Sequence, residues 1–402
     1  MSLTLLLDLD DTLLTNPMDQ FVAAYMKALA GHVAPYTQPE RFLTALLAAT
    51  QHMAQNQDPN CLLKEIFDDR FFPALGMQPV DLSGVISSFY SKVFPTLKDM
   101  TEVRPAAVAL VKEAVSRDYR MVIATNPLFP LTAIEQRLEW AGLPPAEYPF
   151  ALIPSYEHMH FAKPNPAYLA ELLALLGWPE EPAVMVGNDL KSDIDCARRL
   201  GLPSFHILEE TNGSEAQSER HPSGSLSQII PWIDSTPAEL LAPDFSSPTA
   251  MLAILRSTPA AISSLSQRLS ANTWTQRTAA GEWCLTEIVC HLRDVEAEVN
   301  IPRLQKVISE SNPFIPGQDT DRWAEERGYI NQNGRQALVH YTVTRKKLLD
   351  LLSSLTEVVW RRPVRHAIFG PTTLHELVSI IAGHDRLHVR QIQTTLQALH
   401  QR

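Results

Sequence analysis

Residues Leu5 to Leu14 read LLLDLDDTLL. The apolar run starts at Leu3, is broken only by Thr4, and ends at Asp8; a second carboxylate follows at Asp10. A short continuous apolar run of this kind predicts a buried strand of a parallel sheet. Such a strand delivers Asp8, Asp10 and Thr12 to its C-terminal end, where open α/β sheets place their ligands. Asp8 and Asp10 project to the same side of an extended chain. Facing each other in a cleft, two carboxylates call for a cation, a shared proton or a reaction. An acidic turn after a strand accounts equally well for these residues alone, and the rest of the chain decides.

A length of 402 residues exceeds one ordinary domain and points to two or three. Apolar residues make up 45% and the mean hydropathy is −0.09, which argues for a soluble chain with real cores. Thirty prolines against fifteen glycines, many at apparent helix starts, fit a helix-rich protein with defined stops. A formal charge of −11 argues against broad nucleic-acid binding and against an anionic membrane surface as partner. No stretch reaches the roughly 18 apolar residues of a membrane span. The start runs straight into Asp8 and does not read as a signal peptide. Cys61, Cys196, Cys284 and Cys290 show no paired spacing, as expected of reduced thiols in a cytoplasmic protein.

From Asn16 to about Glu102 the apolar spacing is helical and no convincing strand is present. From Arg104 onward helices alternate with strands: YRMVIAT, ALIP, AVMVG and PSFHIL read as strands, and the segments between them as helices. That alternation implies a doubly wound parallel sheet with a helical insert of residues 16–102. After Leu208 the sequence turns polar, then offers one amphipathic piece, LSQIIPWI. Asp234 to Thr249, with three prolines, has the composition of a linker. Beyond it the chain reads as almost wholly helical, with Pro259 separating two short helices and four main helices forming a bundle. The expected plan is an α/β domain over 1–235, a linker over 236–247 and an all-α domain over 248–402.

Three further features stand at strand ends or helix starts. Thr125 in IATNP offers a hydroxyl, with the amide of Asn126, to a phosphate oxygen; a Thr-Asn-Pro turn is the plainer alternative. Lys163 in HFAKPNPAYL reads by itself as surface charge. Asn188, Asp189 and Asp193 in VMVGNDLKSDID suit either a helix N-terminus or Mg²⁺, which takes oxygen ligands.

Together, in this order, these features resemble the haloacid dehalogenase superfamily. Its four motifs match Asp8-Leu9-Asp10-Asp11-Thr12, Thr125, Lys163 and Gly187 to Asp193, and its helical cap matches the insert. The resemblance implies a Mg²⁺-dependent phosphatase acting on a small phosphorylated metabolite. Asp8 would be the nucleophile and Asp10 the general acid and base. Thr125 and Lys163 would hold the phosphoryl oxygens, with Thr12 and Asn126 at the substrate. Mg²⁺ would bridge Asp8, the Asp10 carbonyl and the acids of the fourth motif. Asp at the second position of the first motif, and Thr at the fourth, resemble the phosphatases of the superfamily. The fourth motif departs from the usual Gly-Asp, since Gly187 is followed by Asn188 and then Asp189. Either can occupy the direct ligand position; Asp189 is preferred, with Asp193 acting through water.

In the C-terminal region AGHDRLHVRQI sets His384 and His388 on one helix face, and His291 lies in CLTEIVCHLRDVE. Two histidines one turn apart and a third from a facing helix supply three imidazoles to a divalent metal. Helical His pairs also arise by chance in a chain with 13 histidines. The surrounding segments, GEWCLTEIVCHLRDVE and TTLHELVSIIAGHDRLHVRQI, resemble the DinB-like four-helix bundles. That resemblance implies a metal, Zn²⁺ or Ni²⁺, on His291, His384 and His388, and Trp283 and Gln391 fit its pattern too. It leaves two roles open: a second, metal-dependent enzyme such as a thiol transferase, or an oligomerisation and binding module that makes a homodimer.

Overall fold

Thr4–Leu7 forms the strand that its leucines predict (β1), buried at every residue. The structure, a computed structural model, describes residues 2–208 and 221–400. Residues 209–220, inside the polar stretch after Leu208, lie outside the described residues. The chain divides into two compact units. The first comprises Met1–Gln57, Cys61–Leu172 and Pro179–Asp244; the second comprises Asp58–Asn60, Leu173–Trp178 and Phe245–Arg402.

In the first unit four helices follow β1: α1 (Met18–Val33), α2 (Pro39–Ala54), α3 (Leu63–Leu75) and α4 (Pro79–Lys92). Helix α1 buries Phe21, Tyr25, Leu29 and Val33, a four-residue spacing that lays one apolar stripe along the helix. The chain then alternates through α5 (Pro105–Ser116), β2 (Arg120–Ile123), α6 (Leu131–Trp140), β3 (Phe150–Leu152), α7 (Pro166–Leu175), β4 (Ala183–Gly187), α8 (Cys196–Leu200), β5 (Ser204–Ile207) and β6 (Ser223–Gly224). The six strands are parallel, in the order β3-β2-β1-β4-β5-β6. Strand β1 is central: Leu5 pairs with Met121 on one side and Val184 on the other. A doubly covered sheet buries both faces, so its central strands carry no polar alternation. The helical insert joins the rest of the unit through aromatic rings, with Phe94 stacked on Trp140 of α6 at 5.2 Å and edge-on to Phe21.

Two short pairings escaped the sequence reading. Leu14–Thr15 pairs antiparallel with Glu102–Val103 at the two ends of the insert, and β6 falls in the polar stretch. Two-residue strands are too short to show a period.

The second unit is built on α9 (Pro248–Ser266), α10 (Leu285–Val295), α11 (Ile301–Ser309), α12 (Gly334–Ser353) and α13 (Leu374–His400). A π-helical turn, Glu296–Asn300, joins α10 to α11, so the pair runs as one long element and the unit is a four-helix bundle. Pro259 does not separate two helices as expected, but lies inside α9. Proline leaves the carbonyl four residues earlier without its helical donor. Here that carbonyl, Leu255 O, accepts from Arg345 Nη1 at 2.8 Å, so the helix passes through Pro259 intact. The unit is also less purely helical than expected. A small sheet joins β7 (Phe314–Ile315), β8 (Pro363–His366) and β9 (Gly370–Thr373). Among the described residues no helix is long and apolar enough to cross a membrane.

Arg345 of α12 is buried inside the bundle, 1% exposed. Its guanidinium binds Glu296 in the π-helical turn and Asp385 of α13, both fully buried, as well as Leu255 of α9. One side chain therefore ties all four bundle elements together.

Candidate functional site

Asp8 is the first residue beyond β1, and its amide donates to Val186 O of β4 at 2.9 Å. Lys163, 5% exposed, enters just before α7. Its Nζ donates to Asp8 Oδ1 at 2.8 Å and to Asp193 Oδ1 at 2.5 Å. The lysine that reads as surface charge is therefore buried between two carboxylates. Asp193 closes over the end of β4: a Cβ on Gly187 would fall 2.2 Å from its Oδ2, so the position requires glycine.

Asp10 is held at both oxygens, Oδ1 accepting from Asn16 Nδ2 at 2.7 Å and Oδ2 from Arg137 Nη1 at 2.5 Å. Thr12 Oγ1 donates to Asn188 Oδ1 at 3.2 Å. Thr125 is buried at the end of β2, its carbonyl accepting the Tyr168 hydroxyl at 2.6 Å. Asn126 Oδ1 accepts the Lys163 amide at 3.2 Å. The structure thus gathers Asp8, Asp10, Thr12, Thr125, Asn126, Lys163, Asn188 and Asp193 around the C-terminal ends of β1, β2 and β4.

Asp189 departs from the preference stated for it. Its Oδ1 accepts the amides of Lys191 and Ser192 at 2.9 and 2.6 Å, so the exposed carboxylate caps the following turn. Those amides hold it below the usual carboxylate range despite partial burial. Asn188, not Asp189, presents its side-chain oxygen toward Thr12. Adjacent oxygen-bearing residues cannot be separated by spacing when both stand at a helix start.

Burial pushes the Asp8 carboxyl well above the ordinary carboxylate range, opposed by Lys163 and reinforced by Asp193 and Asp10. Burial works against the Lys163 charge, yet Asp193 and Asp8 together hold its ammonium above the usual lysine range. Asp8 and Asp193 share one cation, and the side chains converging beside them on the β4 side offer oxygen. The donor set and the excess negative charge fit a hard divalent cation.

In the bundle, His291 Nε2 and His388 Nε2 each lie 3.1 Å from His384 Nε2. Tetrahedral ligands at about 2.0–2.1 Å from one ion sit about 3.3 Å apart, so the three rings fit a shared metal. His388 Nδ1 faces Gln391 Oε1 at 2.9 Å, an arrangement that puts the proton on Nδ1 and leaves the Nε2 lone pair for a metal. The Trp283 ring stacks parallel to His388 at 6.1 Å. The ligand atoms of the three histidines all lie within 4.8 Å of one another, close enough to share one ion.

Residues 3–201 match the haloacid dehalogenase-like hydrolases, and residues 254–392 match the DinB superfamily. The chain joins a haloacid dehalogenase-like hydrolase domain to a DinB-like domain. A phosphoglycolate phosphatase of Pseudomonas savastanoi pv. phaseolicola is 30% identical over 96 residues, 23% of this chain and 35% of that protein. The chain thus spans about a third of that curated relative's length. Two solved structures are similar at lower identity. The HAD phosphatase of Thermococcus onnurineus is 16% identical, with a TM-score of 0.38, covering 59% of this chain and all of its own. YfiT of Bacillus subtilis, a four-helix bundle of unusual topology, is 19% identical with a TM-score of 0.36, covering 41% of this chain and 93% of its own.

Three residues of the hydrolase domain site were missed from sequence. Arg137, 1% exposed, holds Asp10 and lies over the Phe129 ring at 4.6 Å. Asn16 holds the other oxygen of Asp10, and Arg104 Nη1 binds the carbonyls of Asp11 and Thr12. Arg137 had a usable signal. It falls on the buried stripe of α6 with Ala133, Ile134 and Leu138, where a charge needs a partner.

In the DinB-like domain, burial and the neighbouring imidazoles push His291 down to about 3, and burial and His384 push His388 down to about 4. Both stay neutral in the folded protein while the unfolded chain protonates near 6.5. The unfolded state therefore binds more protons below that pH, and stability falls with acidification. Chelator-treated protein should lose about 1.4 kcal/mol per pH unit for each of these histidines below pH 6.5. Denaturant midpoints between pH 7 and 5 measure this, and His388→Gln should flatten the slope. A midpoint that does not move with pH contradicts the neutral-histidine assignment.

Proposed function

We propose that the hydrolase domain, residues 1–235, is a Mg²⁺-dependent phosphatase for phosphomonoesters with an apolar organic part. The observation that supports it most directly is the convergence of Asp8, Lys163 and Asp193 at the strand ends. Asp8 attacks phosphorus, and the ester P–O bond breaks as Asp10 gives its proton to the leaving alcohol. Water then attacks the aspartyl-phosphate and gives a proton to Asp10, releasing inorganic phosphate and restoring Asp8. Arg137 and Asn16 aim the Asp10 carboxyl, and Lys163 and Thr125 bind the phosphoryl oxygens. Mg²⁺, on Asp8, the Asp10 carbonyl, Asn188 and Asp193, would screen the charge as a phosphate nears a carboxylate.

The substrate class follows from the cap. A cavity of about 370 Å³ lies against its helices, walled by Met26, Leu29, Phe42, Leu46, Phe71 and Ile86. Phe129 lines the same cavity and supports Arg137, which holds Asp10. Met18, also in the wall, touches Asn16, the other partner of Asp10. The apolar space therefore begins two contacts from the proposed acid. Of the three tyrosines in the wall, Tyr25 and Tyr90 bind each other at 2.9 Å, and Lys64 and Asp68 of the same wall pair with each other, so much of its polar content is already partnered.

With Mg²⁺ present, kcat/KM for linear alkyl phosphates should rise about fourfold per added methylene, the transfer energy of one CH₂. Phosphoglycolate, named in the curated relative, serves as the polar control and should be poor. No phosphate release from any ester overturns the phosphatase reading. Equal rates on polar and apolar esters overturn only the substrate class. For the DinB-like domain, residues 248–402, we propose Zn²⁺ or Ni²⁺ on His291, His384 and His388.

A further inference from the structure

A second cavity, about 150 Å³, lies in the DinB-like domain between α11, β8 and α13. His384 of the three-histidine group lines it, together with Arg303, His366 and a largely apolar wall that includes Phe369, Leu377 and Ile381. Neither Arg303 nor His366 belongs to the histidine group, and each carries an unmet demand.

His366 is 4% exposed. Its Nδ1 accepts the amides of Ile368 and Phe369 at 3.1 and 3.4 Å, so the ring proton is on Nε2. That Nε2 is buried and has no partner. A buried N–H without an acceptor costs about 1–3 kcal/mol and is rare in native structures. Phe369 stacks on the ring at 4.7 Å and fixes the direction of the donor. Burial, with Arg303 nearby, pushes His366 below the usual histidine range, so it serves as a neutral donor.

Arg303 is half-buried. Its Nη2 donates to the Pro316 carbonyl at 3.1 Å, and no carboxylate lies within ion-pair distance of it among the described residues. Burial alone shifts it, downward, but a guanidinium keeps its charge in proteins. A half-buried cation with no anion beside a buried donor with no acceptor is a half-made anion site.

We propose that this cavity binds a small organic carboxylate, its anionic group on Arg303 and His366 and its apolar body reaching toward the three-histidine centre. The site offers one positive charge and one neutral donor, which matches a monoanion rather than a phosphate dianion. The planar fork of arginine pairs with carboxylate in a bidentate manner. A space of this size holds a benzene-sized body, so the ligand has on the order of six to ten heavy atoms.

Calorimetric binding of hexanoate to the full-length protein tests this, with hexanol and inorganic phosphate as comparisons. Each is measured on chelator-treated and on Zn²⁺-loaded protein. Hexanoate should bind both forms, and more tightly than hexanol or phosphate. Arg303→Gln should weaken hexanoate on the order of 10- to 100-fold and leave hexanol unchanged. His366→Gln retains a donor and should weaken it less than His366→Phe. Circular dichroism of each variant verifies the helical content. Equal binding of hexanoate and hexanol, tighter binding of phosphate, or no effect of Arg303→Gln overturns the proposal. Loss of all hexanoate binding on chelation also overturns it, because the carboxylate would then sit on the metal.

Discussion

Asp8→Asn should abolish phosphate release, lowering kcat by about four orders of magnitude or more, as removal of a covalent nucleophile does elsewhere. The amide keeps the shape of the carboxylate but cannot carry the phosphoryl group. The fold should survive, because Lys163 retains Asp193 at 2.5 Å and the Asp8 amide still bonds to Val186. Stability should change in a pH-dependent way. The folded-state Asp8 carboxyl titrates above its unfolded value, so the native state binds the extra proton. Wild-type stability therefore falls as pH rises from the ordinary carboxylate value toward the raised one, and the Asn variant lacks that contribution. Phosphate release and thermal unfolding, measured on the same preparations, check both parts. A variant that keeps more than a hundredth of wild-type turnover would remove Asp8 from the chemistry.

Arg345→Leu should destabilise the DinB-like domain by about 3–5 kcal/mol, the range for breaking a buried ion pair from one side. Glu296 and Asp385 are both within 1% of full burial and would be left as adjacent anions. The Leu255 carbonyl, freed by Pro259, would lose its donor as well. The loss reads as a lower denaturant midpoint for the full chain, with hydrogen exchange along α12 and α13 locating it. Adding Glu296→Leu and Asp385→Leu to Arg345→Leu should recover most of the stability, since replacing a whole buried ionic cluster by apolar groups is often neutral. A single-variant loss below about 1 kcal/mol would mean that water reaches the cluster.

The first site was legible because its parts sit at strand ends with distinctive residue types. The leucines of β1 announce a strand buried on both faces, and Asp8, Thr125, Lys163 and Asp193 follow in a fixed order. Arg137 was passed over although it lies on the apolar stripe of LTAIEQRLEW, because that segment alone holds no partner for a buried charge. Its burial depends on Asp10, more than a hundred residues away. Asn188 and Asp189 were interchangeable by spacing, and only the backbone path decides which of them caps the turn. Pro259 misled because the general rule for proline in helices ignores a tertiary donor such as Arg345. His366 carried no pattern at all: it is one histidine in a four-residue strand that formed unannounced within an otherwise helical unit.

The place of β1 in the sheet bears on how the hydrolase domain assembles. Thr4 pairs with Arg120 and Ala183, so the strand that carries Asp8 is synthesised long before either neighbour. At about 5–20 residues per second, that leading strand waits roughly 6 to 23 seconds for its first partner. Helices α1 to α4 emerge in that interval and make mainly local contacts, which form fast. The cap can therefore take shape on the ribosome while the sheet is still one unpaired strand, and the apolar leucines of β1 stay without a strand partner until Arg120–Ile123 arrives.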